Sequence, residues 1–396
     1  MIPELRRRFN SRFEQSRYEA MLAEINRRYD NSLVFRVSET PLFLTGELTR
    51  HLLQACHDIV TILRSPEFLA QVEDAVPPGM WVAREDAHPT FLQLDFAICG
   101  NEQGEFVPRL IELQGFPSLY CYQHLLDRML RRYFGEVIPE AFTPFFSGLD
   151  SQGYRKLLGE ILVGDCDPEN VVVMDLCPHE QKTRIDFYLA QEYYGIRPVC
   201  VTEVIQRGNR LYYRDNRREV PIHRIYHRFI FDELHKKGVQ PSFRYDDEDV
   251  EVTWVGHPNW FFKVSKYALP LLNSPYCPPA YYLRDLETYP EDLENYVLKP
   301  LFSFAGMGVA VDLTRELLDS IEDRENYLLQ RKVEYAPVIE TPDEYAKAEV
   351  RMMLVWQEEP MVVNNLLRTS KGKMMGVDYN KDKTWVGSSL AYHEPM

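Results

Sequence analysis

The chain has no CxxC pair, although it contains seven cysteines, an odd number. Zinc sites and the disulfide frameworks of small secreted proteins usually show close pairs or even sets of cysteines. Free thiols in a reducing cytoplasm are therefore expected. No apolar run approaches the roughly 18 residues that a membrane span requires. The basic start of the chain is interspersed with Glu4, Glu14 and Glu19 and precedes no apolar segment, so it predicts an amphipathic surface helix and no targeting leader.

Positive charge is also scarce. The chain has 45 lysines and arginines against 60 aspartates and glutamates, which gives a formal net charge of -15. Nucleic acids and anionic membranes require a basic face, so neither is expected as a partner. Small-molecule substrates are expected instead. A cationic substrate is compatible with this charge, and so is the alternative that the acidic surface serves only solubility. The sequence leaves a homo-oligomer open.

At 396 residues the chain exceeds the size at which one hydrophobic core usually stops growing. The composition pattern divides it into three parts of an α/β protein. Residues 1–160 combine helices with an acidic hairpin, residues 161–256 read as an inserted Rossmann-like α/β lobe, and residues 257–396 carry a lysine strand and further strands. Gly148 to Asn170, where the apolar pattern loosens, supplies the first boundary.

Local patterns predict the main elements. Apolar residues recur at helical spacing from Leu48 to about Val72. Residues 91–98 and 106–113 read as two strands joined by a turn-rich stretch, hence a hairpin. The apolar run at 170–176, a helical stretch at 181–194 and the strand at 197–201 predict a βαβ unit.

The lysine strand is the first candidate for chemistry. Lys299 ends a strand, and a proline and a loop of small residues follow at 303–308. One ammonium and several backbone N–H groups can surround a polyphosphate there. Lys299, Ser303, Gly306 and Gly308 are therefore candidate phosphate-binding residues, because glycines allow the backbone to approach the phosphates. The alternative is a plain turn after a lysine.

The acidic hairpin is the second candidate. Glu112 and Gln114 are two apart on one strand and share a face, and Asp95 lies on the neighbouring strand. Two carboxylates and an amide oxygen form a hard oxygen set suited to Mg²⁺. The alternative is a solvent-facing strand with ordinary polar alternation. Asp95 and Glu112, however, sit inside apolar strands, where a buried charge needs a compensating partner.

Two arginines near the end of the chain are candidate catalytic groups. In the strand at 349–356 the alternation of Val350, Met352 and Leu354 places Arg351 on the opposite face. Arg351 and Arg368 can neutralise charge on a transferring phosphoryl group, or each can be a structural salt-bridge partner.

Together these stretches resemble the circularly permuted branch of the ATP-grasp superfamily, which includes glutathionylspermidine synthetase and eukaryotic glutathione synthetase. That branch carries a metal-binding hairpin of the form D-F-x(n)-E-x-N ahead of its lysine strand. Residues 94–96 (LDF), 110–118 (LIELQGFPS) and 297–300 (VLKP) match this order. The resemblance covers residues 85–125 and 260–396 by motif and implies an ATP-grasp fold that uses ATP and Mg²⁺.

The resemblance also implies further site residues. The segment 327–334 matches the strand and hinge beside the adenine, which implies contacts from Gln330, Lys332 and Glu334. Ser118, at the end of the hairpin motif, is expected to contact substrate. This chain departs from the pattern at Gln114, where the family has asparagine. It departs also at Gln93, where the glutathionylspermidine enzymes carry an arginine that helps phosphoryl transfer.

The middle lobe offers one more binding set. Arg224 and Arg228 are four apart and would share a strand face, forming a fork for a substrate carboxylate. His223 and His227 share the other face, but no third ligand lies at a convincing spacing for zinc.

These residues predict an ATP-dependent carboxylate–amine ligase that forms an amide through an acyl phosphate. A kinase with the same metal cradle and a nucleotide-binding protein without turnover are the alternatives. A dinucleotide-dependent oxidoreductase is disfavoured because no GxGxxG turn follows the strand at 170–176. The identity of the acid and of the amine is not encoded in any motif.

Overall fold

The computed structural model describes residues 1–303, 308–375 and 380–396. Its main α-helices in chain order are α1 (Pro3–Arg12), α2 (Gln15–Arg28), α3 (Gly46–Leu63), α4 (Pro66–Gln71), α5 (Tyr120–Phe134), α6 (Ser151–Val163), α7 (Arg184–Tyr194), α8 (Phe231–Lys236), α9 (Trp260–Lys263) and α10 (Arg315–Asp319). In the part of the chain covered by these ranges, none of the helices combines the length and the apolar content needed to span a bilayer.

Within the described ranges the strands belong to five sheets, and they are numbered in chain order. They are β1 (Leu42–Phe43), β2 (Phe91–Gly100), β3 (Phe106–Gln114), β4 (Val171–Asp175), β5 (Arg197–Cys200), β6 (Ile205–Arg207), β7 (Arg210–Asp215), β8 (Arg218–Ile222), β9 (Arg224–His227), β10 (Thr253–Val255), β11 (Ala280–Tyr282), β12 (Tyr296–Pro300), β13 (Tyr327–Arg331), β14 (Pro337–Ile339), β15 (Ala346–Trp356), β16 (Pro360–Ser370), β17 (Gly387–Ser389) and β18 (Ala391–Tyr392).

A six-stranded antiparallel sheet forms the centre of the molecule. Its strand order is β17-β16-β15-β2-β3, and β14 pairs with β15. The predicted hairpin of β2 and β3 is confirmed, with Asp95 opposite Glu112 and Gln93 opposite Gln114. Strand β15, from the C-terminal part of the chain, pairs with β2 on the edge opposite β3, so β2 is hydrogen-bonded on both edges.

The two faces of this sheet differ in chemistry because side chains alternate along each strand. On one face Leu92, Leu94 and Phe96 pack against α3 in a shared apolar core. The other face begins apolar at Phe91, which packs with α5, and becomes polar at Gln93 and Asp95. Because the buried face changes from apolar to polar along β2, charged groups lie inside the fold.

The helix predicted over 48–72 is divided in two. Thr45 caps the start of α3 by accepting a hydrogen bond from the Leu48 N–H. Ser65 caps α4 in the same way, and Pro66 occupies the first turn of α4. Proline is favoured in a first turn, and it has no N–H to continue the preceding helix, so a new helix starts there.

The βαβ unit is confirmed by parallel pairing of β4 with β5 on either side of α7. The parallel sheet has the order β10-β9-β4-β5. The valines of β4 are fully buried, as their continuous apolar run predicts. A smaller antiparallel sheet, β6-β7-β8, precedes β9 in the chain.

The predicted lysine strand is β12, in the antiparallel sheet β11-β13-β12. Its backbone also forms a bridge with Ala310, opposite Leu298, so the chain returns along the strand after the loop. Strand β13 contains the predicted hinge strand, residues 327–331. This sheet approaches the hairpin strand β3 from the side.

Candidate functional site

Five charged side chains line up across four strands of the central sheet. Glu112 in β3 stands opposite Asp95 in β2, and Asp95 stands opposite Arg351 in β15. Glu349, two residues before Arg351, stands opposite Arg368 in β16. Because paired residues and residues two apart share a face, all five lie on the same face. We call this set the charged row.

Asp95 is the central carboxylate of the row. Arg351 donates two hydrogen bonds to it, from Nε to Oδ1 at 2.5 Å and from Nη2 to Oδ2 at 2.7 Å. Arg368 also donates to Oδ2. Burial alone would raise the pKa of Asp95, but the two guanidinium groups outweigh it and hold the pKa at about 2. Asp95 therefore orients two arginines here, and its role as a metal ligand stays a prediction.

Glu349 and Arg368 form the other end of the row. Arg368 lies 2.5 Å from Glu349 Oε1, and the Tyr335 hydroxyl donates to Oε2 at 2.8 Å. Burial raises the pKa of Glu349, and the nearby Asp95 and Glu112 raise it further against the pull of Arg368. Burial opposes the charge of Arg368, yet the surrounding carboxylates raise its pKa. Arg368 is thus a fixed cation held between two carboxylates.

Glu112 and Gln114 are the more accessible oxygen donors. The Glu112 side chain is 21% exposed, whereas that of Asp95 is 1% exposed. Gln114 Nε2 donates to Glu112 Oε1 at 3.2 Å, which leaves the Gln114 carbonyl oxygen free of that contact. In the described ranges no three His, Cys, Asp or Glu residues are arranged to hold a metal ion. A carboxylate and an amide oxygen still fit Mg²⁺, which commonly takes few protein ligands and completes its shell with water and substrate phosphate.

Lys299 meets the acidic hairpin directly. Its ammonium donates to the Ile111 carbonyl at 2.9 Å and to Gln330 Oε1 at 2.6 Å, and Gln330 Nε2 donates to the Leu110 carbonyl at 3.4 Å. Strands β12 and β13 therefore dock against β3 through two of the predicted nucleotide residues. Burial lowers the pKa of Lys299 to about 8, although Glu112 works in the opposite direction.

A second lysine, Lys266, lies beside Glu112 and contacts Ser303, which follows β12. Lys266 is buried, donates to the Ser303 carbonyl and lies 3.8 Å from Glu112 Oε2. Gly308 has φ +73°, and a Cβ there would lie 2.7 Å from Pro300 Cγ, so only glycine fits that return of the chain. Gly306, also predicted to bind nucleotide, lies outside the described residues.

Lys332 and Glu334 follow β13 at the predicted hinge. Lys332 donates from Nζ to the Glu294 carbonyl at 2.5 Å, and its backbone N–H donates to the Asn295 carbonyl. Glu334 is exposed. Their predicted contacts with the adenine are neither supported nor opposed by these bonds.

The substrate-binding candidates lie in different surroundings. Ser118 lies in the loop before α5, and its carbonyl accepts a hydrogen bond from Gln93 Nε2 at 2.8 Å. Arg224 donates to the carbonyls of Ile161 and Leu162 at the end of α6, at 2.9 and 3.3 Å. Arg228 is buried 2.9 Å from Asp186. Each of the two arginines thus already has an internal partner, which opposes the proposed fork.

Asp186 is a residue that the sequence did not single out. It is fully buried in α7, pairs with Arg228 and accepts a hydrogen bond from the Tyr122 N–H at 2.9 Å, in the first turn of α5. A carboxylate at a helix N-terminus is stabilised by the unpaired N–H groups there. An aspartate within a predicted helix is ordinarily taken as a solvent-facing residue. Nothing in the local sequence therefore indicated that Asp186 is buried and paired.

Asp175 ends β4 at the carboxyl edge of the parallel sheet, the edge where α/β folds usually bind ligands. Its Oδ1 accepts from the Leu176 N–H at 2.7 Å. Burial raises the pKa of Asp175 to about 7, against the attraction of Arg228. The sequence offered one signal for this residue, because Asp175 follows the apolar run of a buried strand and so lies at the end of that strand.

Replacing Asp175 with asparagine should stabilise the protein at pH 8 and change little at pH 4. The folded-state pKa lies above the ordinary value of 3.8, so the folded protein resists ionisation of this carboxyl. The loss of folding stability that this carboxyl group causes is absent at low pH, where it is protonated in both the folded and the unfolded protein, and grows as the pH rises towards 7. We expect the free energy of unfolding of Asp175→Asn to exceed that of the unchanged protein by about 1–3 kcal/mol at pH 8. Urea unfolding at both pH values measures this, and an equal gain at both would contradict it.

The comparisons with known proteins give a fold. No protein-family model and no curated protein matches the sequence. Among solved structures, the chain is similar to an apo-form glutathione synthetase-like effector, GSS30, from Globodera pallida. The likeness has a TM-score of 0.57 at 9% sequence identity and covers 97% of this chain and 98% of that one. At this identity the match concerns the fold alone. The chain therefore has an α+β, glutathione synthetase-like fold.

Proposed function

We propose that this protein is an ATP-dependent ligase that joins a carboxylate to an amine through an acyl phosphate. The observation that carries the proposal is the meeting of two lysines with the acidic hairpin. Lys299 bonds the backbone of β3 beside Glu112, and Lys266 lies 3.8 Å from the Glu112 carboxylate. A site of this kind brings cations and hard oxygen donors to one place, as binding of a metal-bound triphosphate requires.

Each residue has a role in this proposal. Lys299 and Lys266 hold the phosphates, together with Ser303 and Gly308 in the segment that follows β12. Asp95, Glu112 and Gln114 would hold Mg²⁺, with Glu112 the more accessible of the two carboxylates, and the ion would neutralise charge on the phosphate oxygens. Arg351 and Arg368 neutralise the charge that spreads over the transferring phosphoryl group.

The reaction then proceeds in two displacements. A carboxylate oxygen of the first substrate attacks the γ-phosphorus, and the bond to the β–γ bridging oxygen breaks, releasing ADP. The amine nitrogen attacks the carbonyl carbon of the acyl phosphate, phosphate leaves, and the nitrogen loses a proton. The protein contributes position and charge neutralisation.

A nucleotide-binding protein without turnover remains a second candidate, favoured by one observation. Both oxygens of Asp95 accept hydrogen bonds from arginines, three in all, which leaves this carboxylate little capacity for a metal ion. In that case nucleotide binding would persist without ADP release.

The test is an ADP-release assay with mixed amino acids, other small carboxylic acids and polyamines, followed by mass analysis of the products. The ligase produces an amide together with equal amounts of ADP and phosphate. A phosphorylated substrate would make the protein a kinase on the same fold. Nucleotide binding in calorimetry without ADP release would support the second candidate, and absence of nucleotide binding would refute both.

A further inference from the structure

Gln93 lies in β2, two residues before Asp95, and is completely buried. Its Oε1 accepts a hydrogen bond from Arg351 Nη1 at 3.1 Å. Its Nε2 donates to the Ser118 carbonyl at 2.8 Å. Both ends of the amide are therefore occupied by different parts of the site, the charged row and the loop between β3 and α5.

The contact with Gln93 completes the orientation of Arg351. A guanidinium group carries five N–H bonds in one plane. Two of those of Arg351 point at Asp95 and a third points at Gln93. One N–H on each terminal nitrogen has no hydrogen bond to Asp95 or Gln93, and Glu112 Oε1 lies 3.9 Å from Nη2. With three of five donors fixed, the plane of the group cannot turn without breaking a buried bond.

An arginine at position 93 would not serve this arrangement. Arg351 and Arg368 already share the carboxylate of Asp95. A third guanidinium would be fully buried beside them with no carboxylate of its own, and an unpaired buried charge is costly. A neutral side chain that accepts at one end and donates at the other fits the position.

We propose that Gln93 is a positioning residue for Arg351. It aims the two remaining N–H groups of Arg351 at the γ-phosphoryl group of a bound nucleotide, and it links the guanidinium group of Arg351 to the loop between β3 and α5 through the Ser118 carbonyl. The proposal rests on the proposed function, because it requires a bound triphosphate beside the charged row. The contribution of Gln93 is confined to the terminal phosphate, since Lys299 and Lys266 serve the phosphates through β12 and its loop.

The experiment compares the affinities of ADP and of the β,γ-imido analogue of ATP by calorimetry in Mg²⁺ buffer. A merely structural role of Gln93 would change both affinities alike. We expect Gln93→Met to weaken analogue binding about fivefold or more while the ADP affinity changes by less than twofold. Gln93→Asn, which keeps the amide but is too short to bridge both partners, should lower the preference for the analogue in the same direction.

A control variant sharpens the comparison. Gln123→Met is the matched control, because Gln123 is buried in α5 and its amide has no hydrogen-bond partner in the described part of the chain. It should leave both affinities unchanged.

The outcomes separate this proposal from the proposed function. If the unchanged protein binds both nucleotides but Gln93→Met and Gln93→Asn keep its preference for the analogue, the positioning role is wrong and the ligase proposal stands. An equal loss of both affinities in these two variants also overturns the positioning role. If the unchanged protein binds neither nucleotide, both proposals fail.

Discussion

Exchange of Glu112 for glutamine should reduce ATP turnover at least about a hundredfold while the protein stays folded. Glutamine keeps the size of the side chain and can still contact Gln114, but it removes the negative charge that faces both Lys266 and the proposed Mg²⁺. Glu112 is the most exposed carboxylate of the charged row, so its loss should affect the bound metal more than the core. ADP release under conditions that activate the unchanged protein measures the effect.

The control for this variant is Glu359→Gln, which makes the same exchange at a carboxylate whose side chain is 72% exposed and pairs with Arg64 on the surface. It should turn over ATP normally. Thermal unfolding of both variants checks the fold. Normal ADP release by Glu112→Gln would remove the metal assignment, and with it the strongest support for ligase chemistry.

Exchange of Lys299 for methionine should weaken binding of the ATP analogue by more than about tenfold, or roughly 1.4 kcal/mol. Lys299 is buried between β12, β13 and the hairpin, so its ammonium is held in place by the Ile111 carbonyl and Gln330. A fixed cation in a site shielded from water interacts more strongly with phosphate than an exposed one does. Calorimetry at pH 7 measures the loss.

Methionine fills the space of the lysine stem, but it leaves the two oxygens without their donor, which costs about 1–3 kcal/mol of stability. Unfolding must therefore be measured beside binding. Lys156→Met, at a side chain that is 79% exposed on α6, is the matched control and should bind nucleotide normally. If a folded Lys299→Met binds the analogue as tightly as the unchanged protein, nucleotide binding does not depend on the lysine strand.

The local part of the site was predictable from sequence. The spacing of Glu112 and Gln114 places both on one strand face whatever the fold, and the apolar alternation around Asp95 predicted the neighbouring strand. The register that sets Asp95 opposite Glu112 confirms the hairpin. The parallel βαβ unit was also predictable, because its buried valine strand and helical period are local signals.

The partners of Arg224 and Arg228 were not predictable from local sequence patterns. Arg224 and Arg228 do lie four apart around β9, but their guanidinium groups meet helix carbonyls of α6 and the carboxylate of Asp186 in α7. Which partner a buried cation finds depends on elements that are distant in the chain. Sequence spacing reports only which side chains share a face.

The sequence by itself determined the elements, the face on which each polar side chain lies, and the residue types available for phosphate and metal binding. Only the tertiary structure decided which of them meet. Strand β15 lies beside β2, and Arg351 and Arg368 therefore reach Asp95 across more than 250 residues of chain. The physical reason is that alternation along a strand is a local property, whereas strand neighbours and the pairing of buried charges are settled by the packing of the whole sheet.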